Sequence, residues 1–128
     1  MDSMIESKIG KLNIPFDYKF FIYLLTEKFS HNENIDKIYL FGSCATGKVT
    51  NKSDIDLAII VNDKIPADRN FRLNIISKIE DMLMERESIT NIPYDVVFFN
   101  CADFERNKGI SISVVNDIEQ KGKVLYER

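Results

Sequence analysis

Residues 38–60 read IYLFGSCATGKVTNKSDIDLAII, and the fold turns on how the two glycines and the two aspartates of that stretch are understood. Gly42, Gly47 and Lys48 stand at the spacing of a phosphate-cradling loop of the form G-x-x-x-x-G-K-[ST] that follows a strand and opens a helix. Position 49 is valine, so the hydroxyl that would hold Mg²⁺ there is missing. Residues 49–53 are also too few for the helix such a loop must open, because the next apolar run starts at Ile55. The P-loop reading fails on chemistry and on architecture.

The aspartates carry the alternative. In a strand, residues two apart project to the same side, so Asp54 and Asp56 point together from the start of an otherwise apolar run, IDLAIIV. Two adjacent carboxylates repel and resist desolvation unless a cation joins them. A hard, oxygen-seeking ion such as Mg²⁺ suits them. Asp95 has the same setting, ahead of Val96-Val97-Phe98-Phe99. If its strand neighbours the first, three carboxylates converge, enough for two metal ions about 4 Å apart. Gly42 and Ser43 follow a strand directly, where backbone N–H groups can face a phosphate. Gly47 allows a close approach or a positive φ.

Working outward, residues 17–29 (DYKFFIYLLTEKF) carry Phe21, Leu24, Leu25 and Phe29 at helical spacing. Residues 37–41 (KIYLF) and 55–61 predict strands, the second apolar on both faces and therefore covered on both. Phe71, Ile75, Ile79, Met82 and Leu83 mark one face of a long helix over 67–86. Residues 94–99 predict a third strand. Ile112, Val115 and Ile118 predict a helix closed by Gly122 as a glycine C-cap, and 124–126 a short edge strand. The first sixteen residues give no clear pattern. Strands alternating with helices make an α/β (α+β) domain, a small mixed sheet flanked by helices, as one unit over 1–128.

Bulk composition bounds the function. With 128 residues, 45% hydrophobic and 29% charged, the chain has the makeup of an ordinary globular domain. Seventeen basic residues against 20 acidic give a net charge of -3, which argues against direct nucleic-acid binding. No stretch approaches the roughly 20 apolar residues of a membrane span, and the start lacks a signal-peptide layout. Cys44 and Cys101 fit no metal spacing and no disulfide framework, so a reducing cytoplasm is the expected home. Thiol catalysis at Cys44 would need a nearby base, and the sole histidine, His31, lies at a helix end, so Cys44 reads as structural and His31 as a solvated helix-terminal residue. The aromatic run Phe16, Tyr18, Phe20, Phe21, Tyr23 reads as core, with any exposed part a partner-binding face. The charged segments 85–87 and 121–128 read as solvated surface.

Gly42-Ser43, ten residues, then Asp54-Ile55-Asp56-Leu57, with a later acid on a strand, resembles the signature of the minimal nucleotidyltransferases of the DNA polymerase β superfamily. The resemblance covers most of the chain beyond residue 16. It implies that Asp54, Asp56 and Asp95 are catalytic and hold two Mg²⁺ ions, with Asp95 also able to take the proton of an acceptor hydroxyl. It implies that Gly42 and Ser43 hold the β/γ phosphates of ATP, with Gly47, Lys48 and Ser53 completing the nucleotide site. Many relatives carry arginines around positions 44 and 46, where this chain has Cys44 and Thr46, leaving Lys48 or Lys52 to supply the charge.

A small chain of this type has little room for an acceptor site, so acceptor contacts are expected from another subunit in a homo- or hetero-oligomer. It resembles the antitoxin half of HEPN/minimal-nucleotidyltransferase pairs, which implies transfer of AMP to a hydroxyl of a small helical HEPN partner. Two alternatives stand beside it: a binding-only antitoxin, and an enzyme acting on a small molecule such as an aminoglycoside. RNA as acceptor is disfavoured by the acidic balance.

Overall fold

The computed structural model describes residues 3–85 and 92–128. Strands β1 (Ile35–Phe41), β2 (Ile55–Val61), β3 (Tyr94–Asn100) and β4 (Lys123–Glu127) form one sheet in the order β3-β2-β1-β4. β1 is antiparallel to both β2 and β4, while β2 and β3 are parallel, so the sheet is mixed as the sequence predicts. Among the described residues six helices surround it: α1 (Ser3–Gly10), α2 (Phe16–Ser30), α3 (Ser43–Thr46), α4 (Arg69–Met84), α5 (Cys101–Asn107) and α6 (Val114–Lys121). None of them is long and apolar enough to cross a membrane.

Strand alternation divides the core in two. Ile55, Leu57, Ile59 and Val61 of β2 are fully buried and join Ile35, Ile38 and Leu40 of β1 beneath α1, α2 and α4. The opposite side packs Ala58 and Ile60 with Tyr39, against Phe104 of α5 and Val115 and Ile118 of α6. Both faces of β2 are covered, which is why its sequence is a continuous apolar run. Burying each large aliphatic or aromatic side chain contributes roughly 1.5–3 kcal/mol, so this central strand anchors the domain.

The predicted helix over 17–29 is α2, with Phe21, Leu24, Leu25 and Phe29 all buried. Its aromatic run divides by face. Tyr18 and Phe21 enter the core, whereas Phe16 and Phe20 stack on each other at the surface, 81% and 45% exposed. The helix placed over 67–86 is α4, capped by Asp68, whose carboxylate accepts from the Phe71 N–H. Arg86 and Glu87 lie outside the described residues.

Two expectations are corrected and one, the Gly122 cap, is borne out with a different physical reason. Ile112 belongs to no helix face and is 95% exposed, because α6 starts only at Val114, where Ser113 caps the first turn. Gly122 does cap α6, but with an extended backbone; its requirement is space, since a Cβ there would meet Ile118 O at 2.4 Å and Leu40 O at 3.2 Å. The segment 121–128 is not simply solvated, because Leu125 of β4 is buried and Arg128 donates to the carbonyls of Ile35 and Asn32. The unread N-terminus forms α1, which buries Ile5 and Ile9, one helical turn apart. His31 is a surface residue paired with Glu27.

One polar side chain ties the sheet to a crossover. Asn100, at the end of β3, donates to the carbonyls of Asn62 and Ile65 and accepts from the Ala67 N–H, all within 2.8–3.0 Å. It holds the 62–67 loop that carries the chain from β2 to α4.

Candidate active site

The site lies where β1 ends and β2 and β3 begin. Phe41, the last residue of β1, pairs with Asp56, and Asp56 pairs with Asp95 across the parallel β2–β3 ladder. Register partners share a sheet face. Here it is the face that α5 and α6 cover further along, at Ala58, Ile60, Val97 and Phe99. The paired acids sit at the uncovered end of that face, Asp95 exposed and Asp56 half-buried, and Asp54 is exposed just ahead of β2.

Burial, then the charges of Asp95 and Asp54, push the Asp56 carboxyl above its ordinary range. The neighbouring strand that the sequence required for three converging carboxylates is thus β3, and the charges of Asp95 and Asp54 both bear on Asp56.

Gly42 turns out of β1 with φ +74° and opens α3. A Cβ at this position would lie 2.4 Å from Asp56 Oδ2, so the glycine permits the carboxylate to rest against the backbone. Ser43 is the first residue of α3. Gly47 ends it in the left-handed conformation, φ +78°, with only ordinary contacts around a Cβ, so its role is the positive φ. That single short turn, in place of a long helix, confirms that the stretch is not a P-loop.

Position 44 faces inward. Cys44 is 1% exposed, and its Sγ donates to Asp54 O at 3.4 Å. Burial, with the charges of Asp56 and Asp54, pushes its thiol up to about 11, so it is protonated and unreactive at neutral pH. Thr46, Lys48 and Lys52 are exposed on the loop. The Ser53 hydroxyl oxygen accepts from the Thr50 N–H at 2.8 Å, which places this residue first in the service of its own turn.

Two loop contacts escaped sequence reasoning. Tyr18 Oη of α2 lies 2.7 Å from Ser53 O and 3.3 Å from Thr50 O, and Cys44 holds the next carbonyl. Contacts over 35 and 10 residues leave no local signal; the sequence marks Tyr18 only as core and Cys44 only as structural.

Among the described residues, no three His, Cys, Asp or Glu side chains already enclose a metal position. The donor set still fits a hard divalent ion: all three are carboxylates, and the elevated Asp56 carboxyl is the group a cation would relieve.

A mixed four-stranded sheet with acids at the start of adjacent parallel strands, facing a Gly-Ser turn, defines a nucleotidyltransferase-type fold. The family model described as polymerase beta, nucleotidyltransferase, matches residues 24–128, and the chain belongs to that family. Its fold is similar to that of a Sulfolobus solfataricus protein assigned as a nucleotidyltransferase, with 16% identity, 98% of this chain and 88% of that one covered, and a TM-score of 0.54. It is similar also to a toxin–antitoxin structure with AMP-PNP, at 24% identity over 84% of this chain and 71% of that one, TM-score 0.50. A toxin–antitoxin MntA–HpeT variant gives 23% identity over 87% and 72% of the two chains, again with TM-score 0.50. No curated protein matches the sequence.

Proposed function

We propose that this chain transfers AMP from ATP to a hydroxyl of a partner protein, as the cytoplasmic antitoxin of a HEPN toxin pair. The observation that carries the reading is the direct pairing of Asp56 with Asp95, at the mouth of the Gly42 turn. Asp54, Asp56 and Asp95 hold two Mg²⁺ ions, which when bound neutralise charge on the attacking and leaving oxygens. Gly42 and Ser43 hold the β/γ phosphates, and Gly47, Lys48 and Ser53 border the nucleotide. Asp95, the exposed acid of β3, accepts the proton of the acceptor hydroxyl. That oxygen bonds to the α-phosphorus, the bond to the β-phosphate oxygen breaks, and pyrophosphate leaves. The family membership supports the chemistry, and the likeness to toxin–antitoxin chains, one of them with AMP-PNP, supports the partner class.

The test is transfer of label from α-³²P-ATP with Mg²⁺ in a lysate of the native host, comparing the chain with its Asp54→Ala/Asp56→Ala variant. A labelled band seen only with the unaltered chain is expected. Equal labelling by both would overturn the proposal.

Position 44 favours a second reading. With Cys44 turned into the core and Thr46 uncharged, the loop offers no arginine to a triphosphate. A binding-only antitoxin would neutralise its partner equally well as the double-alanine variant, and loss of protection would exclude it.

A further inference from the structure

Asp54 precedes β2, so no strand pairing of its own fixes where its carboxylate points. Backbone groups of three consecutive residues around it are instead held by three different parts of the fold. Ser53 O accepts from Tyr18 Oη of α2 at 2.7 Å. Asp54 O accepts from Cys44 Sγ of α3 at 3.4 Å. Ile55 N donates to Pro93 O, just ahead of β3, at 2.9 Å.

The Tyr18 contact differs from the other two. Cys44 offers a weak thiol donor at sulfur distance, and the Ile55 bond continues the ladder that β2 and β3 form anyway. The phenol is a full-strength donor, with its ring 5% exposed and packed in the main core. It also grips a unit that is rigid in itself. The turn over 50–53 is closed by Ser53 N donating to Thr50 O at 3.1 Å and by Thr50 N donating to Ser53 Oγ at 2.8 Å. With one proton for two acceptors, Tyr18 bonds chiefly to Ser53 O and keeps Thr50 O at 3.3 Å as its second partner. Moving the phenol would move the whole turn, and Asp54 is the next residue.

We propose that Tyr18 is a positioning residue for Asp54: its hydroxyl locks the 50–53 turn to α2 and thereby aims the first carboxylate of the pair at the ion it shares with Asp56. The inference rests on the metal-dependent reading of the site above. It assigns to the aromatic run of α2 a role beyond core packing, carried by one oxygen atom. The geometry also separates that oxygen from the ring: Tyr18→Phe deletes the lock and leaves the buried ring where it is.

The experiment uses the full chain, Mn²⁺ as the probe, and Tyr39→Phe as the matched comparison. Tyr39 is likewise buried, 3% exposed, and its hydroxyl bonds to Glu119 Oε2 at 3.1 Å on the part of the sheet covered by α6. Mn²⁺ affinity is measured by titration, and backbone order at residues 50–55 by ¹⁵N relaxation. Tyr18→Phe is expected to weaken Mn²⁺ about fivefold, in line with one lost hydrogen bond, with disorder confined to 50–55. Tyr39→Phe should change neither. Equal effects from the two variants, or an ordered loop and unchanged affinity in Tyr18→Phe, would overturn the proposal. If the unaltered chain binds no Mn²⁺, the metal-dependent reading fails first. In that case a loop still ordered in Tyr18→Phe overturns the lock, and a loop released in that variant alone upholds it.

Discussion

Asp56 and Asp95 stand directly opposite each other on adjacent parallel strands, with Asp54 completing the group from the loop before β2. Paired acids on a sheet face are a liability for the fold and an asset for binding a cation. The molecule holds both in one place, which makes the two effects separable by experiment.

Asp56→Asn should stabilise the ion-free chain while abolishing transfer. Burial and two neighbouring carboxylates disfavour the Asp56 charge, and an amide keeps the shape without it. The gain should be about 0.5 kcal/mol, since the group is partly solvated, or about 2 °C in unfolding midpoint. A raised carboxyl costs stability only where it is ionised, so the two chains should converge as pH falls through the folded-state value. Thermal melts in EDTA at several pH values, beside label transfer, check both halves.

Gly42→Ala should damage the site more than Gly109→Ala. Both glycines have positive φ, +74° and +82°, so both changes cost about 1–3 kcal/mol of backbone strain, the more at Gly42, whose ψ of -157° puts it in a region essentially confined to glycine. Only at Gly42 does the added Cβ meet Asp56 Oδ2; at Gly109 nothing lies within 4 Å. Denaturant melts should fall further for Gly42→Ala than for Gly109→Ala, and transfer activity should collapse at Gly42 alone.

Stability should decline as pH rises from 9 to 11. Burial pushes the Cys44 thiol up to about 11, and burial with the Asp36 hydrogen bond does the same for Cys101. The unfolded chain loses those protons near 9.0, the folded chain two units later, so the stabilisation is complete below 9 and lost as pH climbs through 11. Replacing both cysteines by alanine should make this part of the curve shallower, leaving the decline that the raised Tyr18, Tyr39 and Tyr94 hydroxyls add above 10. Neither thiol should alkylate with iodoacetamide at pH 8 before the chain is unfolded.

Asn100→Ala should cost about 2–3 kcal/mol, since three hydrogen bonds to the 62–67 loop vanish together. Urea melts measure the loss, and Asn100→Asp, which sets a carboxylate oxygen against the Asn62 and Ile65 carbonyls, should not recover it.

The sheet was legible because β2 announces itself twice, by its unbroken apolar run and by the acids at its start. The long helices α2 and α4 were legible from their buried stripes. What escaped were pieces defined by partners distant in the chain. α1 has only Ile5 and Ile9 to declare it, α5 only Phe104, and α3 is a single turn whose glycine ends look like loop. At the site, the residue types and spacing carried Gly42, Asp54, Asp56 and Asp95 into view. They could not reveal that Ser53 is engaged by its own turn or that Cys44 faces the core, because burial depends on what the fold brings alongside.

β2 alternates its two duties residue by residue, Leu57 and Ile59 inward to the larger core, Asp56 to the site. A slip of one position would turn every side chain to the other face, carrying the Asp56 carboxylate into the larger core and Leu57 to the mouth of the site. Correct folding and correct aim are therefore the same event: a mis-threaded copy cannot pass as a well-formed but idle protein.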